Sequence, residues 1–121
     1  MSLTFGLDYD GTITDAPELF LNFCVFAEQK GYKVYIVTMR YPSECGDIPE
    51  VFKRHTKGVF ATSRMAKKKF MFEQGININI WIDDNPLAVE VDAIKIWNDV
   101  ALEGQPVVAT HNPNESERLH G

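Results

Sequence analysis

The sequence predicts an α/β fold, in which a mostly parallel sheet is covered by helices on both faces. Three observations predict it. Short runs rich in β-branched and aromatic residues alternate along the chain with stretches of helical periodicity. Glycines such as Gly31 and Gly75 fall where the helical patterns stop. The length, 121 residues, is enough for one hydrophobic core and too short for two.

The elements follow in order. Residues 3–7 form a short apolar run ending in Asp8-Tyr9-Asp10-Gly11, which predicts a buried strand closed by a turn. Asp15-Ala16-Pro17-Glu18 predicts a helix start, with Asp15 accepting a backbone N–H, Pro17 in the first turn and Glu18 at the capping-box position. Leu19, Phe20, Phe23 and Ala27 recur at helical spacing before Gly31 ends that helix. Residues 33–38 (Lys-Val-Tyr-Ile-Val-Thr) are the second strand, and a loop over 39–46 follows. Asp47-Ile48-Pro49-Glu50 repeats the start signal for a second helix ending near Gly58. Residues 59–62 are a short third strand, and Ser63 is expected to cap a third helix running to about Gln74. Residues 78–82 (Ile-Asn-Ile-Trp-Ile) are the fourth strand, 87–97 a helix and 107–109 a fifth strand. From His111 the chain is polar and turn-rich, so the reading is one domain over 1–110 and a tail over 111–121. Cys24, Trp81 and Trp97 are expected in the core, and His55 in a structural or exposed position.

Composition narrows the function. Apolar residues make up 45% and charged residues 24%, as in an ordinary soluble protein. The net charge is -5 and no large basic stretch occurs, which argues against a module gripping duplex nucleic acid. No apolar run approaches the ~20 residues of a membrane span, and the first residues lack a signal-peptide pattern. Two unpatterned cysteines make neither a disulfide framework nor a zinc site, so a reduced, cytoplasmic setting is expected.

Reactive residues collect where such folds bind ligands, beyond the carboxyl ends of the strands. The first strand delivers Asp8 and Asp10, the second Thr38, the fourth Asp83 and Asp84, and the helix after the third carries Lys67, Lys68 and Lys69. Asp8 and Asp10 are one residue apart in extended chain and point to the same side, roughly 6–7 Å apart. Gathered carboxylates repel unless a positive group joins them. A hard divalent cation answers that, and magnesium suits a few carboxylates plus a substrate phosphate. Lysine adds positive charge for phosphate, and Gly11 leaves room for a ligand to approach the backbone. Lys67 is expected to be the lysine at the site because it lies nearest the helix start, with Lys68 and Lys69 as alternatives.

Asp8-Tyr9-Asp10-Gly11-Thr12-Ile13-Thr14 resembles the first motif of the haloacid dehalogenase (HAD) superfamily phosphatases. Val37-Thr38 resembles its second motif, a lysine among 67–69 its third, and Ile80-Trp81-Ile82-Asp83-Asp84 its fourth, all in family order over about residues 3–86. The resemblance implies a Rossmann-like three-layer domain. It implies that Asp8 is the nucleophile, forming an aspartyl-phosphate, and that Asp10 is the general acid and base. Magnesium would be held by Asp8, the Asp10 backbone carbonyl and Asp83, with Asp84 in a supporting role. Thr38 and the lysine would contact phosphate, and Gly11, Thr12, Arg40 and Lys68 are expected to meet substrate. Asp at both motif-one positions favours hydrolysis of a phosphate ester. Neither of the usual insertion points has room for a cap domain, so the chain resembles the capless class, which admits nucleotides, nucleic-acid ends, phosphoproteins or sugar phosphates, sometimes with an oligomer as lid. Arg40 also resembles an arginine of the phosphatase domain of polynucleotide kinase-phosphatases.

Two other classes compete. A receiver-type domain phosphorylated on Asp would need its acceptor after the third strand, where Ala61-Thr62 offers none. A non-catalytic binding protein of the same fold would retain the residues without turnover. A calcium loop is excluded because Ile13 stands where that motif needs Gly.

Overall fold

The computed structural model describes residues 2–103. Four strands, β1 (Thr4–Leu7), β2 (Lys33–Thr38), β3 (Val59–Ala61) and β4 (Ile80–Ile82), form one all-parallel sheet in the order β3-β2-β1-β4. Helices α1 (Pro17–Gln29), α2 (Glu50–Arg54), α3 (Lys67–Glu73), α4 (Leu87–Glu90) and α5 (Ala93–Glu103) provide the connections. The arrangement is α/β and compatible with a Rossmann-like architecture. The expected fifth strand at 107–109 and the tail at 111–121 lie outside the described residues. No described helix is long and apolar enough to cross a membrane.

Among the described residues the core has two parts. Leu7, Val34 and Ile36 pack with Cys24 and Ala27 of α1 and with Ile48 and Phe52 in one buried cluster. Met39, Ala88, Ala93 and Ile96 form a second, with the half-buried Trp97 against it. Trp81 departs from its expected core position. It is only half-buried, lines a groove of about 390 Å³ with Phe72 and Ile78, and its indole N–H has no partner among the described residues. His55 is half-buried, with Nδ1 2.9 Å from Glu28.

Several boundaries differ from the sequence reading, each for a tertiary reason. Asp15 does not cap α1: the N–H groups of Asp15 and Ala16 bond to the Thr12 carbonyl, so the preceding turn runs directly into the helix. Helix α2 stops at Arg54, short of Gly58, where the Thr56 hydroxyl donates to the Phe52 carbonyl at 2.7 Å. Ser63 does not cap α3, because Ser63 and Arg64 are both left-handed, with φ 55° and 71°. Their N–H groups bond to the Arg40 and Met39 carbonyls, stitching this loop to the one after β2. The single helix expected over 87–97 is broken at Val91, whose extended φ and ψ of −135° and 155° separate α4 from α5.

Candidate functional site

The site grows from the ends of β1 and β4. The N–H of Asp8 donates to the Ile82 carbonyl at 3.0 Å, carrying the ladder one residue past the strands and setting Asp8 beside Asp83. The chain reversed direction across the sheet between β3 and β4, so this is the switch point where open α/β sheets form their ligand crevice.

Asp8 is 1% exposed. Its Oδ1 accepts the Lys67 Nζ at 2.7 Å and its Oδ2 accepts the Thr12 hydroxyl at 2.9 Å. Lys67 is fully buried, and its ammonium also donates to Asp83 Oδ2 at 2.6 Å. The other Asp83 oxygen accepts the Asn85 N–H at 2.9 Å, which fixes the carboxylate plane. The Asp84 N–H donates to the Thr12 hydroxyl at 3.2 Å. Gly11, at φ 86°, lies against the Asp84 carboxylate, in space that a Cβ would occupy. The room anticipated for a ligand at Gly11 is therefore taken by Asp84.

One carboxylate oxygen from each of Asp8, Asp83 and Asp84 lies within 4.8 Å of the others. Such all-oxygen donors fit a hard divalent cation such as magnesium. Burial pushes the Asp8 carboxyl up to about 8; Lys67 opposes the rise, while hydrogen bonding with Asp84 and the charge of Asp83 add to it. The cluster thus holds more negative charge than one lysine balances.

The Asp10 side chain faces elsewhere. Arg40 grips it through two bonds, Nε to Oδ2 at 2.8 Å and Nη2 to Oδ1 at 2.6 Å. Arg40 Nη1 bonds to Asp47 at 2.5 Å and to the Glu44 carbonyl at 2.7 Å, and the guanidinium sits over the Tyr9 ring at 5.0 Å. Hydrogen bonding to Asp10, then to Asp47, holds Arg40 firmly charged, and Arg40 in turn lowers Asp47. The Asp10 carboxylate therefore stands apart from the acidic trio, which leaves its backbone carbonyl as the group for the expected metal role. Arg40 is engaged by protein carboxylates at the place where substrate contact was anticipated.

Thr38 is fully buried at the end of β2; its hydroxyl accepts the Arg40 N–H at 3.3 Å, and no described group accepts its own proton. Among the three lysines only Lys67 joins the cluster. Lys68 lies on the outer face, 64% exposed and 3.8 Å from Glu90, and is not brought to the site. Two contributors were not expected in these roles. Asp47, read in the sequence as part of a helix start, instead holds Arg40. Asp92 reaches 26 residues back to accept the Ala66 N–H at 2.7 Å, at the start of the helix that carries Lys67. Comparison with protein-family models, with curated proteins and with solved structures finds no match.

Proposed function

We propose that this chain is a magnesium-dependent phosphatase of HAD type that hydrolyses phosphate monoesters through an aspartyl-phosphate on Asp8. The observation that carries the reading is the convergence of Asp8, Asp83, Asp84 and Lys67, from two strand ends and a helix start, around one buried carboxylate. A nucleophilic carboxylate must be ionised and close to phosphate, and two negative groups approach only where positive charge is fixed between them. Lys67 supplies one such charge. Asp8, Asp83, Asp84 and the Asp10 carbonyl would hold magnesium. The ion would neutralise phosphate oxygens and the Asp8 carboxylate together.

An Asp8 oxygen attacks phosphorus, and the bond from phosphorus to the ester oxygen breaks. Asp10 leaves Arg40 and gives a proton to the departing oxygen. Water then gives its proton to Asp10, attacks the phosphoryl group and releases phosphate and free Asp8. The Thr38 O–H donates to a phosphoryl oxygen. The links of residues 8–16 and 62–66 between strand and helix are short, which supports reading the chain as a capless member with an open site.

The test uses an aryl phosphate with magnesium. Turnover is expected with magnesium, none with a chelator, and Asp8→Asn should lose at least about 10³-fold in kcat while still folding. Wild-type protein without turnover on aryl, nucleotide, sugar and peptide phosphates in magnesium overturns the reading and favours a binding protein of the same fold.

A further inference from the structure

We infer that the rim of this site carries a stacking platform, built by Tyr41 and Arg64, for the base of a terminal nucleotide; this names a substrate class for the same site and rests on the phosphatase reading. The Arg64 guanidinium lies 5.0 Å from the centre of the Tyr41 ring. Tyr41 is 46% exposed, and Met65 beside Arg64 is 39% exposed.

The platform is rigid and placed. Tyr41 follows Thr38 by three residues and Arg64 precedes Lys67 by three, so each lies within about 11 Å of chain from a phosphate-binding group. The backbone of Tyr41 is clasped by Glu44, through Tyr41 N–H to Oε1 at 2.7 Å and Glu44 N–H to the Tyr41 carbonyl at 2.9 Å. Arg64 is anchored to the Met39 carbonyl twice, by its N–H at 2.8 Å and by Nη1 at 2.9 Å. A longer pairing of Nη2 with Glu44, 3.3 Å at its nearest, closes the cluster. Ser63 and Arg64 both hold a strained left-handed backbone. Such strain persists where the surrounding contacts hold it, and it concentrates at ligand sites.

A planar cation over an open aromatic ring offers a face on which any base stacks, since every base has a π-face. A sugar phosphate has no group for it. Arg40, next to Tyr41 in the chain, is held by Asp10, Asp47 and the Glu44 carbonyl, so the selectivity assigned to the platform is one of stacking.

The decisive measurement is binding to the Asp8→Asn protein in magnesium by titration calorimetry. The probes are adenosine 5′-monophosphate, ribose 5-phosphate and a short oligonucleotide with a terminal phosphate. The nucleotide, free or at the strand end, should bind roughly 5- to 150-fold tighter than ribose 5-phosphate. Tyr41→Ala should collapse that ratio toward one, and Tyr41→Phe should keep it. Arg64→Ala should reduce it. Equal binding of all three probes, or a ratio that survives Tyr41→Ala and Arg64→Ala, overturns the platform. Aryl-phosphate turnover without a base preference would sink this inference alone, whereas a base preference without turnover would sink the phosphatase reading and leave the platform standing.

Discussion

The proton on Asp8 sets the working conditions of the site. Buried beside two other carboxylates, Asp8 holds its proton up to about pH 8 in the metal-free protein, against an ordinary value of 3.8. The proposed magnesium would need the ionised form, so below about pH 8 its binding would have to expel that proton. On the proposed reading magnesium affinity should rise with pH, by up to about tenfold per unit between about pH 6 and about pH 8, and level off above. Calorimetry in two buffers of different ionisation enthalpy should show close to one proton released per magnesium near neutrality. A pH-independent affinity across that range would mean that Asp8 is not the metal-linked group. At this scale the sequence was readable where chemistry is local. Asp8 and Asp83 end apolar strands, Lys67 is first in its helix, and Thr38 closes β2. The Arg40–Asp10 grip was not readable, because it joins residues thirty apart through side-chain rotamers that no spacing encodes.

Elements place these residues, and α3 shows how much of the placing comes from outside the element. Its N-terminal neighbour Ala66 has no side chain to cap the helix, so Asp92 supplies the acceptor for the Ala66 N–H and the Arg64 carbonyl takes the Ala93 N–H at 2.9 Å. Asp92 is thereby a positioning residue for Lys67. Removing it as Asp92→Ala should cost about 0.5–2 kcal/mol in denaturant unfolding, the usual worth of a cap. It should also lower kcat more than it raises KM, because the Lys67 ammonium must stay centred between Asp8 and Asp83. Asp92→Asn keeps an acceptor oxygen and should recover most of both quantities; if both variants leave kcat alone, Asp92 only stabilises. The same pair of contacts accounts for what periodicity missed. Residues 87–97 carry one helical pattern, yet Asp92 and Ala93 are drawn to the α3 start, and Val91 goes extended to allow it. The four strands were legible because each is a short apolar run rich in β-branched and aromatic residues, bounded by turn residues. The helix ends were not, since α2 and α3 take their boundaries from Thr56, Ser63 and Arg64 through contacts that depend on the finished fold.

Across the whole molecule, the site ties together the ends of β1 and β4 and the start of α3. Asp8 extends β1, Asp83 and Asp84 extend β4, and Lys67 heads a helix that packs against α4 and, through Asp92, reaches the start of α5. These parts meet at a cluster of three carboxylates, two of which share one buried ammonium, an arrangement in which burial and repulsion oppose attraction. If the proposed magnesium binds at that junction in the folded chain and not in the unfolded one, it should stabilise by mass action: at a hundredfold excess over Kd the gain would be about 2.7 kcal/mol. For a domain of this length that corresponds to a melting temperature higher by on the order of 10 °C. Scanning calorimetry in magnesium and in a chelator measures it. The shift should shrink sharply in Asp83→Asn, which removes one donor charge while leaving the Asn85 N–H an acceptor, and it should persist in Tyr41→Ala, whose side chain lies on the rim. Identical melting in magnesium and chelator would separate the acidic cluster from any metal and leave Lys67 as its sole counter-charge.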